Sequence, residues 1–390
     1  MKKGTKIIVI ITAIVIVLGT SGFLTYFFVF NPALFTPCVE TPFTHYPVEM
    51  DRLKSITPLG NLNPPGHTYP TDHIYYFTNQ TAYPDGFEIY APGDFLITQI
   101  EKVTYNPPQI AGVTTDYTIE FSVCSKVSGK FGHVNNISTY LSDLTGEFGA
   151  EYGDSEESYE IDGRIFTKFV KRMQIKISAG QLLGRAGMGG SGYDFWLKDT
   201  RVKLDWVNAD VSRAFQNTVC PLAYFSEDLK NTQLGFMKQW DGTPVSPIGY
   251  CGRIDFDIEN TVQGLWVREG YSGNEGEEYG LALVYSNFNA NKGAFSIGNA
   301  GNVAWGKRTY YFNPIDSGFE NRNFSQVTND GNVYYYVCDG FSAGSDIYKV
   351  LLVKMNGNRE LLLQYVESAS PITTNPQTLF SENNAVQYYR

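Results

Sequence analysis

Three stretches decide the class of fold: FLITQIEKVTY (95–105), DYTIEFSV (116–123) and RIFTKFVKRMQIKI (164–177). Each is rich in β-branched and aromatic residues. Each tends to alternate apolar with polar positions, the period of a strand with one buried face. Gly, Pro and Asn turns lie between them, and IYYFT (74–78) precedes them. The pattern predicts an antiparallel all-β domain that starts near Gly60. The acidic patch from Glu151 to Glu160 reads as a solvated loop.

Further on, YYFNPI (310–315), NVYYYV (332–337), YKVLLVKM (348–355) and ELLLQYV (360–366) read as strands of a second β domain. Met355 and Glu360 bracket NGNR, a hairpin turn. Between the two domains, EDLKNTQLGFMKQW (227–240) is the best helical candidate. Ser226 is placed to cap it, and Glu227 and Asp228 sit where the helix dipole favours negative charge. The expected organisation is an anchor at 1–30, a Pro-rich stalk at 31–59, a β domain at 60–205, a helical connector at 206–240 and a β sandwich or barrel at 241–390.

The chain has 390 residues, 15% of them aromatic, with 30 Lys+Arg against 40 Asp+Glu. Such aromatic content excludes a largely disordered chain. A net charge of -10 without a basic block argues against nucleic-acid binding. Residues 7–30, IIVIITAIVIVLGTSGFLTYFFVF, carry no charge. That is long enough to cross a bilayer as a helix. Lys2, Lys3 and Lys6 precede it and no Lys or Arg follows before Arg52, so the expected topology is single-pass with a cytoplasmic N-terminus. The rival is a cleaved signal peptide, for which Gly19–Gly22 is the weak candidate site. The bulk of the chain is then extracytoplasmic, at the plasma membrane, where disulfides persist. Two of Cys220, Cys251 and Cys338 are candidates for a bridge; Cys124, in a strand-like run, reads as a buried structural thiol.

Four histidines are present: His45, His67, His73 and His133. The densest group of donors is His67-Thr68-Tyr69-Pro70-Thr71-Asp72-His73. On an extended strand, neighbours Asp72 and His73 point to opposite faces, so only one of them joins His67 in a pocket. GRAGMGGSG (184–192) lacks the Lys-Ser/Thr of a phosphate loop. Asp255, Asp257 and Glu259 would share a strand face able to bind Ca²⁺, or only to meet water.

The segment from about Pro58 to Asp199 resembles the β-barrel of lysostaphin-type zinc endopeptidases, the duplicated-hybrid-motif fold. The resemblance rests on PPGHTYPTD (64–72), YAPGDFLITQI (90–100), FGHVNNIS (131–138), SAGQLLGRAGMGGSG (178–192) and YDFWL (193–197), in the family's order. It implies zinc as cofactor, with His67, Asp72 and Asp194 as ligands and His73 as a substitute ligand. It also implies that His133 serves as proton shuttle and Tyr193 as a hydrogen-bond donor to an oxyanion. Two departures point to a degenerate site: His67 and Asp72 are five apart rather than four, and the closing His pair is absent. The expected function is therefore binding of an envelope polymer or peptide-like ligand. A zinc-dependent endopeptidase is the alternative, and a structural envelope component the second.

Overall fold

In this computed structural model, the structure describes residues 36–108, 113–161, 164–208, 211, 213–271, 277–299, 306–339, 348–368 and 378–390. The expected membrane-spanning segment, 7–30, lies outside them. Among the described residues no helix is long and apolar enough to cross a membrane.

The protein is mainly β. In chain order, β1 (Leu53–Thr57), β2 (His73–Thr78), β3 (Phe87–Tyr90), β4 (Phe95–Asn106), β5 (Thr115–Ser122) and β6 (Val127–Ile137) precede the helix α1 (Thr139–Thr145). Then come β7 (Ser155–Ile161), β8 (Arg164–Ile177), β9 (Leu182–Ala186), β10 (Tyr193–Asp199) and the helix α2 (Glu227–Leu234). The remaining strands are β11 (Gly264–Arg268), β12 (Gly280–Tyr285), β13 (Gly293–Ile297), β14 (Arg308–Phe312), β15 (Tyr334–Tyr336), β16 (Tyr348–Met355), β17 (Glu360–Ser368) and β18 (Val386–Tyr389).

Contacts divide the chain into two units that are interleaved in sequence. Among the described residues, the first holds 36–51, Gln80–Ser191 and Tyr224–Leu229; the second holds Arg52–Asn79, Gly192–Ala223 and Lys230–Arg390. This differs from the linear partition expected at 60–205 and 241–390. The supposed stalk is also built in: Phe43 and Val48 are buried in the first unit, and Leu53–Thr57 is β1 of the second. Prolines 37, 42 and 47 exclude helix, but they leave extended chain free to pack.

In the first unit the strands run β3-β9-β6-β5-β4-β8-β7, all antiparallel. Ile97, Ile100, Ile119, Phe121 and Phe131 form its buried face. Ile97 and Ile100 are three apart, which strict alternation would send to opposite faces. A bulge between Ile97 and Gln99 takes up the extra residue, Thr98, and turns both inward. The acidic patch is not a loop: Glu156, Glu157 and Glu160 lie on β7. β7 pairs β8 at the end of the strand order, and its exposed charges suit an edge. Gly86, at φ +75°, lets backbone approach Ala186 where any Cβ would collide.

In the second unit β1 pairs β2 and β2 pairs β10. The later strands form an eight-stranded sheet in the order β14-β13-β12-β11-β18-β17-β16-β15. Trp266, Phe295, Phe312, Phe324, Tyr336, Leu351 and Leu363 make its core, and rings of Phe295, Phe312, Phe324 and Tyr336 meet at about 5 Å. The NGNR hairpin forms as expected, with Asn356 N–H donating to the Glu360 carbonyl at 3.0 Å. Helix α2 starts where expected but stops at Leu234. After Gly235, the chain returns to extended form and pairs with β1 through Ile56 and Met237.

Two disulfides close loops, Cys38–Cys124 in the first unit and Cys220–Cys251 in the second. Cys124 is thus a bridged cysteine, not the buried thiol expected; its partner lies 86 residues earlier, out of reach of local patterning. Cys338 is the buried free thiol, and burial pushes its pKa up. Peptide mapping under non-reducing conditions should therefore return these two bridges, with Cys338 alkylated only after unfolding. Loop closure predicts losses of ~5 kcal/mol for Cys38→Ser and ~4 kcal/mol for Cys220→Ser in denaturant unfolding. Rapid native labelling of Cys338 would contradict the assignment.

Candidate functional site

The predicted donors gather around the start of β2. His73 opens the strand and is 2% exposed. In register with β10, His73 faces Trp196 and Tyr75 faces Asp194, so all four share one face of the sheet. The His73 ring lies 4.1 Å from Trp196 and 4.5 Å from Tyr75, centre to centre. His67 is held in a tight turn by reciprocal backbone bonds with Asn63, at 2.8 and 3.0 Å. Its ring approaches His73 edge-on at 5.5 Å.

Asp72 ties the group together. Its Oδ1 accepts from Trp196 Nε1 at 2.6 Å and lies 3.1 Å from His73 Nδ1. The expectation that Asp72 and His73 diverge fails for a simple reason. Asp72 precedes the strand, so alternation does not govern it, and its carboxylate folds back onto its neighbour's ring. On the other side, His73 Nε2 stands 3.7 Å from Asp194 Oδ2. That is too long for a hydrogen bond but close enough for electrostatic contact. With Nδ1 donating to Asp72, the ring presents Nε2 to a second carboxylate. The Tyr75 hydroxyl is held well above its ordinary pKa, first by burial and then by the Asp194 charge.

Below the cluster, Glu277 accepts from Tyr69 N at 2.8 Å. Burial, reinforced by the nearby Asp72 charge, pushes its carboxyl up to about 8.

Two predicted residues take other places. Tyr193 pairs with Tyr76 on the opposite face of β10 from Asp194, fully buried, 5.8 Å ring to ring. Burial raises its pKa well above the ordinary value, so it is core rather than an oxyanion donor to the His73 cluster. His133 belongs to the first unit, where its Nδ1 lies 2.6 Å from Asp116 Oδ2. Trp196 and Tyr75 were absent from the predicted set. Their signal was present: each lies two residues from a predicted donor on the same strand.

The zinc implied by the resemblance does not fit the predicted ligands. Asp72 Oδ1 is already engaged by two nitrogens. Among the described residues no three His, Cys, Asp or Glu side chains converge to hold a metal. Two of the three acids suggested for Ca²⁺, Asp257 and Asp255, are likewise engaged. Asp257 accepts backbone N–H groups of Val207, Asn208 and Leu265, and Asp255 pairs with Arg253. That segment is not a strand, so the acids do not share a strand face.

No family model matches the sequence, and no curated protein matches it. Among solved structures, Helicobacter pylori Csd3 is similar at 14% identity and a TM-score of 0.26. The likeness covers 48% of this chain and 35% of that one, so the chain spans about a third of that protein's length.

Glu277 makes the electrostatics measurable. The folded protein keeps a proton that the unfolded chain releases near pH 4.5. Stability from this group is therefore complete at low pH and falls as pH rises from about 4.5 through about 8. Urea unfolding across that window should show this decline, and Glu277→Gln should flatten it; an unchanged slope in the variant would contradict the assignment.

Proposed function

We propose that the chain is a non-catalytic extracytoplasmic binding protein, held at a membrane by residues 7–30, whose ligand is an envelope polymer or a peptide-like segment. The observation that carries this reading is the closure of the His73 cluster. A hydrolytic zinc keeps an open coordination position beside ligands turned toward the metal. Here the carboxylate meant to be a ligand is bound by an indole and an imidazole, and the imidazole is sealed from solvent. His133, the expected proton shuttle, turns its Nδ1 to Asp116 in the first unit instead. The arrangement serves to anchor the loop before β2 rather than to turn over a substrate.

Compartment is supported by the two cysteine pairs, because such bridges persist outside the cytosol. It is supported also by the uncharged run preceded by three lysines. The endopeptidase alternative draws on His67 and Asp194 standing beside His73. In that case both would ligate one ion.

Elemental analysis of the full-length protein, purified in detergent with zinc supplied, separates the two. The expected result is no stoichiometric metal, an unfolding temperature indifferent to chelator, and co-sedimentation with isolated cell envelope. One tightly held zinc per chain, lost in both His67→Ala and Asp194→Ala, would establish the peptidase instead. Concentration-dependent self-assembly without envelope binding would favour the structural component.

A further inference from the structure

The first unit carries a second polar group that the reading above leaves unused. On the sheet face opposite its core, Glu101 of β4 stands across from Thr118 of β5, and Glu120 of β5 from Lys130 of β6. At the centre is Asp116, 9% exposed, whose Oδ2 accepts from Tyr105 Oη at 3.0 Å and meets His133 Nδ1 at 2.6 Å. Its other oxygen, Oδ1, is buried with no hydrogen-bond partner.

His133 is held there at a cost. It sits at φ +54°, in the left-handed region, where β6 bulges between the partners of Tyr117 and Ile119. A non-glycine residue in that region is strained and persists only where its surroundings impose it. The strand is bent so that a 45% exposed imidazole stands over a buried carboxylate. With Nδ1 turned to Asp116, nearly half of the ring surface stays open to solvent.

An aromatic strip continues from this pair. Tyr105 meets Phe166 edge-on at 5.3 Å, and Phe166 stacks on Tyr159 at 5.1 Å with planes 5° apart. Tyr159, at the edge of the sheet, is 39% exposed.

The chemistry of this face selects among ligands. Asp116, Glu101, Glu120 and Glu157 disfavour a polyanion, while Lys130 and Lys168, the latter paired with Glu157 at 2.7 Å, disfavour a polycation on the same face. Closely spaced acceptors and donors beside flat aromatic surface suit a neutral polyhydroxylated ring. Its C–H face packs on an aromatic ring while its hydroxyls bridge to carboxylate, imidazole and ammonium groups. We propose that this face, from His133 and Asp116 to Tyr159, binds a neutral oligosaccharide. The inference rests on the reading of the chain as a binding protein, and it names the ligand class and the surface.

The test is isothermal titration of the full-length protein, in a detergent without a sugar headgroup, with chitohexaose and cellohexaose. The expected result is saturable binding of at least one of them, weakened about tenfold or more by Tyr159→Ala and by His133→Ala. Tyr250→Ala, which removes an exposed aromatic of the second unit, should leave it unchanged. Thermal unfolding of each variant checks that the fold is kept. No binding of either oligosaccharide, or equal binding by both variants, overturns the proposal. If the Tyr159→Ala/His133→Ala double variant still co-sediments with envelope, only this surface is wrong; if the unaltered protein does not sediment, the broader reading fails as well.

Discussion

One carboxylate oxygen, Asp72 Oδ1, governs what the histidine-rich loop can be. It receives the indole N–H of Trp196 from β10 and the imidazole of His73 from β2. Burying His73 and the Trp196 indole N–H without such bonds would be costly, since a buried polar group needs a partner. Closing the bonds has the opposite effect. It fixes the ring plane of His73, which is 2% exposed, and commits Asp72 Oδ1 and His73 Nδ1 to each other and to the indole rather than to a metal. The loop before β2 and the pairing of β2 with β10 are locked by the same contact.

Much of the fold was legible in the sequence. Alternation marked β4, β5 and β8, and the Asn-Gly turn marked the hairpin of β16 and β17. What escaped depended on non-local contacts. The bulge at Thr98 is invisible to a period-two pattern, because only packing reveals which isoleucines must be buried together. The Cys38–Cys124 bridge and the return of Arg52–Asn79 to the second unit join residues too distant for any local signal. Within the site, alternation along β10 was enough to separate Tyr193 from Asp194. The resemblance grouped them regardless, and the register shows that they face opposite sides.

Two histidines meet an aspartate through Nδ1, and their surroundings give them different roles. His73 is 2% exposed and enclosed by Trp196, Tyr75 and two carboxylates. His133 is strained, half open to solvent and flanked by an aromatic strip. Burial turns the first pair into a structural clasp; exposure leaves the second able to meet a ligand. Sequence reading placed both in a single reaction, because residue type alone carries no information on depth.

The claim that the His73 cluster is a closed clasp is tested most directly by the Trp196 indole N–H resonance, assigned by comparison with Trp196→Phe. A proton donated to a buried carboxylate should resonate downfield, exchange slowly and stay in place when zinc is added in excess. Movement or loss of that signal as zinc saturates the protein would show that Asp72 leaves the indole to bind metal, and would contradict the account.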